Sequence, residues 1–332
     1  MEKVSLINKS GRRIDLTFHK GEQSVRGLID CMASVYGIPS NYANSFMFDV
    51  EVIREKIRQG KLVPFAAITD DGIPAATLSY KKHHGMRGGE IGALVVNPEF
   101  RGFNLGQIIT EHVLSECKKK DVSLLYAHMV MYHAQSGRAY EKLGFIPTGF
   151  LFGAVDSKKH LAQLNLASQK ISWAVYVKND GSNGGTVYVP SHLKGFVREI
   201  YTSLGADVQF ADESGKLNET SHIEYKQDDY HKTLNIDIIA SGRDLRERLE
   251  MLEKEYTDEL QTSMVLLNIS EPGAVYGYEV MRAAGYRFFG LNPLAGERET
   301  IIMSKINRVL IDSAEFQLTV PAQRLFERVS EV

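Results

Sequence analysis

Apolar and polar positions along the first half of the chain switch repeatedly between a strand period of two and a helical period of about 3.6. Ile14 to Phe18 alternates and predicts a strand. Val25, Leu28, Ile29, Met32, Ala33 and Tyr36 then share one helical face, and Gly37 with Pro39 ends that helix. A shorter helix is expected from Asp49 to Arg58, stopping at Gly60. Leu62 to Ile68 and Ile73 to Tyr80 form a hairpin across Asp70-Asp71-Gly72, a turn sequence that tolerates positive φ. Glu90 to Val96 reads as a strand. Leu105, Ile108, Ile109, Val113 and Cys117 mark the buried stripe of the helix after it, and Lys118 to Lys120 suit that helix's C-terminus. Val122 to Met131 is a strand, Ala134 to Leu143 a helix and Ile146 to Val155 a strand. Antiparallel strands giving way to a β-α-β-α-β half predict an α+β fold, a mixed sheet flanked by helices.

The run Lys178-Asn179-Asp180-Gly181-Ser182-Asn183-Gly184-Gly185 has no apolar residue to pack and reads as an exposed linker or long hairpin loop, hence as a domain boundary. Beyond it the same grammar returns in weaker form. Leu234 to Ala240 is a strand and Ser241-Gly242-Arg243-Asp244 a turn. Leu245, Leu249, Leu252, Tyr256 and Leu260 mark a helix whose Glu247, Glu250, Glu253 and Glu255 form the solvated face. Met264 to Ile269 is a strand, Gly277 to Tyr286 a helix and Arg287 to Leu291 a strand.

Bulk properties narrow the function classes. The 332 residues fit two domains, and 43% hydrophobic with 24% charged residues is the profile of an ordinary globular protein. A net charge of −2 argues against a general nucleic-acid or anionic-membrane binder. No N-terminal apolar run follows Met1 and no stretch approaches the ~18 apolar residues needed to cross a bilayer, so a cytoplasmic location is expected. Cys31 and Cys117 are the only cysteines and neither has a partner at metal-ligand spacing, so neither a disulfide framework nor a metal is expected.

The chemical signal lies where the Glu90 strand meets the Leu105 helix. Pro98 helps end the strand, Gly102 and Gly106 allow backbone N–H groups to approach a ligand closely, and Asn104 tolerates the left-handed conformation. A helix starting there aims its unpaired N–H groups and positive dipole end at the turn, with Arg101 adding charge, which makes an anion site. On these residues alone, a tight turn that merely needs glycines is an equal reading.

The longer context breaks the tie. Leu94-Val95-Val96-Asn97-Pro98-Glu99-Phe100-Arg101-Gly102-Phe103-Asn104-Leu105-Gly106 resembles motif A of the GNAT acetyltransferases, V-x-P-x-[FY]-R-G-x-G-x-[GA]. Ser136-Gly137-Arg138-Ala139-Tyr140-Glu141-Lys142-Leu143-Gly144-Phe145 resembles their motif B, in the right order. The resemblance covers about residues 12–178 and implies the GNAT fold, a mostly antiparallel sheet flanked by helices, and an acetyl-CoA-dependent N-acetyltransferase acting on a primary amine. It implies that Leu94, Val95 and Val96 carry the pantetheine strand and that Arg101, Gly102, Phe103, Asn104, Leu105, Gly106 and Gln107 form the pyrophosphate loop. Asn104 replaces the family's middle glycine. Tyr36-Gly37, His133-Ala134-Gln135-Ser136 and Pro147-Thr148-Gly149 are similar to a GNAT branch with a C-terminal extension, and residues 186–332 read as a degenerate second GNAT-like domain or an unrelated α+β cap. Asp244 stands where a phosphate would approach, so that half is not expected to have its own CoA site; shaping the substrate cleft or forming a homodimer are the jobs open to it.

Amine attack on a thioester needs a route for the amine's proton and a donor for the departing thiolate. Tyr140 matches the motif B tyrosine that protonates the CoA sulfur in the family; the bland alternative is a packed core aromatic. The position of the family's usual base is Gly92 here. Glu90, two residues earlier on the same strand face, can act through a water or be a solvated strand end. His133 is a third candidate, against an ordinary helix-start hydrogen bond, and His128 a weaker one. Lys81-Lys82-His83-His84 and Arg87 can meet an anionic group or be a solvated loop. A protein that binds CoA as a sensor, or a transferase using a longer acyl-CoA or a protein lysine, remains the alternative.

Overall fold

The alternating segments of the first third pair as a meander. The computed structural model describes residues 3–37, 46–82, 88–156, 169–211, 217–256, 260–293 and 298–331. Their contacts group into two units, one running up to Ala127 and the other from His128 onward.

In the first unit, β1 (Lys3–Ile7) and β2 (Arg13–Lys20) precede helices α1 (Val25–Tyr36) and α2 (Val50–Arg58). Strands β3 (Leu62–Thr69), β4 (Pro74–Lys81) and β5 (Gly89–Val96) follow, then α3 (Leu105–Lys118) and β6 (Leu124–Val130), which crosses into the second unit after Ala127. The strands lie in the order β1-β2-β3-β4-β5-β6, antiparallel up to β5 and parallel between β5 and β6. Gly37, at φ 74°, ends α1, and Asp49 caps α2 by accepting from the Glu51 and Val52 N–H groups at 3.0 and 3.1 Å. The apolar stripe of α1 and Ile53 of α2 close over Leu62 and Val95, with Leu28, Cys31 and Ile53 fully buried. Fully burying one such aliphatic side chain contributes about 1.5–3 kcal/mol.

In the second unit, α4 (Gln135–Lys142) leads to the hairpin β7 (Ile146–Asp156) and β8 (Lys170–Asn179). Then come β9 (Thr186–Val187), α5 (Lys194–Ser203), β10 (Gln209–Phe210), β11 (His222–Asp228), β12 (Thr233–Ala240), α6 (Leu245–Glu255), β13 (Thr262–Asn268), α7 (Ala274–Ala283), β14 (Arg287–Asn292), β15 (Thr300–Ile306) and α8 (Val320–Glu331). The large sheet runs β8-β7-β14-β15-β13-β12-β11, with β9 and β10 as a separate parallel pair. β7 meets β14 at Gly149 and Gly290. A Cβ on Gly290 would stand 2.4 Å from the Gly149 Cα, so this junction admits only glycine.

The strands and helices expected before Lys178 all form within one or two residues of their predicted ends. Beyond them, β1, β8, β9, β10, β11, β15 and α8 form where no element is expected. The segment 178–185 closes as a short loop: Asn179 Nδ2 donates to the Ser182 and Leu204 carbonyls at 2.8 and 3.1 Å, and Gly184 N–H to the Asp207 carbonyl at 2.9 Å. The division between contact units falls within β6, between Ala127 and His128. The helix expected to reach Leu260 is α-helical to Glu255. Among the described residues, no helix is long and apolar enough to cross a membrane.

Candidate functional site

Asn97 begins the connection from β5 to α3. Its Oδ1 accepts from Glu99 N–H at 3.1 Å and its Nδ2 donates to the Pro74 carbonyl at 3.1 Å, tying the turn to β4. Phe100 and Phe103 are buried. The Arg12 guanidinium lies over their rings at 5.5 and 5.8 Å while donating to the Glu99 carbonyl at 3.0 Å. These contacts hold the turn from behind.

Its front is a row of donors. Gly102 sits at φ 89° and Asn104 at φ 59°, ψ 26°, the left-handed geometry expected of it. The Asn104 side chain donates to Gln107 Oε1 at 3.0 Å, and Gln107 in turn to Glu111 Oε1 at 2.8 Å, so its extra atoms are engaged along the helix. Among the described residues, the backbone N–H groups of Gly102, Phe103, Asn104, Leu105 and Gly106 find no protein acceptor. They lie at the positive end of α3, with the exposed Arg101 beside them. Such a cluster fits a polyanion of pyrophosphate type.

β5 supplies a second feature. Ser79 pairs with Gly92 but Thr77 with Val95, so β5 carries one extra residue there, and Ala93 takes φ 55°. Parallel pairing with β6 stops after Gly89↔Leu125 and Glu90↔Tyr126. Residues 91–96 thus leave that edge of β5 without a strand partner among the described residues. Gly106 faces this strand: a Cβ there would sit 3.8 and 3.9 Å from Leu94 Cδ2 and Val96 Cγ2, ordinary contact distances.

Glu90 and Gly92 point to the same face, as the alternation predicts. A Cβ on Gly92 would lie 3.0 Å from Glu90 Oε1 and 3.2 Å from Lys81 Nζ. The Glu90 carboxylate therefore fills the space above Gly92, held by Lys81 at 3.1 Å, with only 14% of its side chain exposed. Lys81, read from the sequence as part of a basic stretch facing an anionic group or solvent, pairs instead with Glu90; Lys82 is exposed, and His83, His84 and Arg87 lie outside the described residues. Buried Tyr126 has its phenol pKa raised by burial and, secondarily, by the Glu90 charge.

The remaining candidates belong to the second unit. Tyr140 is buried and meets Phe145 edge-to-face at 5.0 Å. Its helix is fastened at Glu141, which accepts from the Tyr176 hydroxyl at 3.1 Å and from Thr319, while Gly137 leaves room for both partners. Neither Tyr176 nor Thr319 is singled out by the sequence reading, because the contact joins residues 143 apart. His133 is half-buried, burial lowers its pKa, and its buried Nδ1 has no hydrogen-bond partner among the described residues. His128 stacks on Trp173 at 5.8 Å, the accommodated role expected of a strand histidine.

The turn between β12 and α6 is built differently. Gly242 N–H donates to Ser221 Oγ at 2.9 Å, Arg243 N–H to the Asn218 carbonyl at 3.0 Å and Ser241 N–H to Glu271 Oε1 at 3.0 Å. Asp244 Oδ1 accepts from both the N–H and the hydroxyl of Ser221, at 2.6 and 2.7 Å. Parallel pairing of β12 with β13 continues from Thr233↔Thr262 to Ile238↔Leu267, six residues against the two of β5 with β6 among the described residues.

Comparison with known proteins bears on the first of these sites. Residues 36–145 match the model of the acetyltransferase (GNAT) family. No curated protein sequence matches the chain. Among solved structures, an N-acetyltransferase from Staphylococcus aureus is similar at 12% identity and a TM-score of 0.41, covering 50% of this chain and 99% of that one. The ribosomal-protein-S18-alanine N-acetyltransferase from Escherichia coli is similar at 14% identity and a TM-score of 0.38, covering 51% and 96%. A spermidine/spermine N-acetyltransferase from Vibrio cholerae is similar at 14% identity and a TM-score of 0.39, covering 50% and 95%. The segment 36–145, which holds the donor-rich turn, the bulged strand and the Tyr140 helix, is thus the part of the chain that matches the GNAT acetyltransferase family.

Proposed function

We propose that this protein transfers an acetyl group from acetyl-CoA to a primary amine of a small molecule or peptide, with residues 12–178 as the catalytic domain. The observation that carries the reading is the row of N–H groups from Gly102 to Gly106, without protein acceptors among the described residues, at the positive end of α3. A pyrophosphate supplies acceptors for them, and Arg101 adds a charge. The open edge of β5 at Val95 and Val96 offers backbone groups to an amide-bearing arm, as an added strand would take them. The donor is acetyl-CoA as substrate, and no metal enters the reading.

In the transfer, the amine nitrogen bonds to the thioester carbonyl carbon while the C–S bond breaks. The nitrogen loses a proton and the sulfur gains one. Tyr140 is the proposed proton donor to sulfur. Glu90 is the proposed base, because its carboxylate fills the space over Gly92, where the family resemblance puts the usual glutamate. His133 is a second base candidate: a lowered pKa favours the neutral imidazole that can accept a proton. We further infer that residues 186–332 form a degenerate GNAT-like domain without a donor site, since its turn is filled by Asn218, Ser221 and Glu271.

One observation favours a second reading, a CoA sensor without turnover: Lys81 already holds the Glu90 carboxylate in an ion pair. Titrating the protein with acetyl-CoA and then measuring thiol release over a panel of amines separates the two. Saturable binding with amine-dependent thiol release supports transfer. Binding without release on a broad panel supports the sensor, and absence of binding refutes both.

A further inference from the structure

β11 is the outermost strand of its sheet, and among the described residues its one ladder is to β12. Among the described residues the other edge meets no strand, the arrangement that invites another strand. Along it the sequence reads His222-Ile223-Glu224-Tyr225-Lys226-Gln227-Asp228. Ile223 is buried, Glu224, Tyr225, Lys226 and Gln227 are exposed, and Tyr225, 48% exposed, leans on Tyr256 at the end of α6 with ring centroids 6.3 Å apart.

The charges along this edge mirror one another about Tyr225. Two copies related by a two-fold axis normal to the sheet would pair antiparallel, with each residue opposite its reflection about a central residue. Directly opposed residues in an antiparallel pair share a face, so the centre must be a residue and not a peptide bond. Centring on Glu224 sets Glu224 against itself and His222 against Lys226; centring on Lys226 sets Lys226 against itself and Glu224 against Asp228. Both oppose like charges, while centring on Ile223 or Gln227 opposes none but pairs only three residues of the strand. Centring on Tyr225 sets Glu224 against Lys226 and His222 against Asp228, each pair occurring twice, with the two tyrosines meeting at the axis. Opposite-charge and aromatic cross-strand pairs stabilise a ladder, and like charges directly opposite destabilise it.

We propose that β11 is a self-pairing edge through which two copies of this protein form a symmetric dimer, in the single register centred on Tyr225. Charges of this kind ordinarily protect an edge from indiscriminate pairing. Here the same residues reject the centres at Glu224 and Lys226, and the Tyr225 centre alone pairs the whole strand, with a second copy of the chain as the partner. This rests on the sheet edge alone and is independent of the acetyltransfer chemistry.

Sedimentation velocity of the full-length protein over a concentration series tests it, with Lys226→Glu and the charge exchange Glu224→Lys/Lys226→Glu as variants. Both residues are exposed, and circular dichroism checks that each variant is folded. The expected result is a wild-type dimer, a dissociation constant raised about tenfold or more in Lys226→Glu, and recovery to within about threefold in the double exchange. A wild-type monomer at about 100 μM overturns the proposal, that concentration being near the weak end of specific association. So does a dimer indifferent to Lys226→Glu, or one weakened equally by the single and double exchanges.

Discussion

Gly106→Leu tests the donor turn with opposite expectations for stability and affinity. Gly106 lies in the first turn of α3, outside the positive-φ region, so a side chain costs no backbone strain. Its Cβ would meet Leu94 and Val96 at 3.8 and 3.9 Å, so the first carbon is accommodated as ordinary packing. Replacing glycine by leucine in a helix gains up to about 0.5–1 kcal/mol of propensity, so the midpoint in urea should hold or rise slightly. Helical side chains lean toward the helix N-terminus, so the remaining carbons are expected to extend toward the Gly102–Gly106 amides. Hydrogen bonds to a charged group contribute about 1.5–3 kcal/mol each, so displacing two costs roughly 3–6 kcal/mol. At about 1.4 kcal/mol per tenfold, CoA affinity measured by calorimetry should fall about 100-fold or more. Gly106→Ala should stay within about tenfold of wild type, since that change adds only the accommodated carbon. A leucine variant that stays folded and binds CoA within about threefold of wild type would refute the cradle, a change that small being well under one lost hydrogen bond.

Tyr140→Phe keeps the ring that packs on Phe145 and removes only the hydroxyl; turnover should fall by about 100-fold while CoA affinity changes little, and an unaltered rate removes the acid role. Glu90→Gln should lower turnover by about 100-fold or more and abolish the acid limb of the pH–rate profile, whereas a rate loss with an unchanged profile would reduce Glu90 to packing. His133, its pKa lowered in the fold, should contribute stability above its unfolded value near ~6.5 that is lost as pH falls. Urea unfolding at neutral and mildly acid pH should therefore show a drop that His133→Gln reduces; equal drops in both proteins would contradict that assignment.

Much of the first unit was legible because its elements rest on local periodicity. The α1 stripe, the Asp70-Asp71-Gly72 hairpin and the alternation that puts Glu90 over Gly92 are short-range patterns, and all appear as expected. What escaped depends on the register in which strands pair. Lys81 reaches Glu90 because the two strands register those residues opposite each other, and no local signal sets that register. The bulge at Ala93 puts a non-glycine residue at positive φ, a choice propensity disfavours and only the surrounding sheet can impose. β11 was unreadable because only Ile223 of its seven residues is buried, so the alternation has one tooth. By contrast α8, with Ala322, Leu325 and Val329 at helical spacing, carried a pattern that sequence reading could have found.

The central claim is that the turn between β5 and α3 binds the pyrophosphate of acetyl-CoA through its own backbone. Amide-resolved NMR of the full chain, titrated with CoA, addresses it without any assumption about the amine. The account predicts that the Gly102 to Gly106 amides shift together and saturate with the affinity measured by calorimetry, while the Gly242 and Arg243 amides, already bonded within the chain, stay in place. Saturable binding that leaves the Gly102 to Gly106 amides unmoved, or no binding at all, would contradict it.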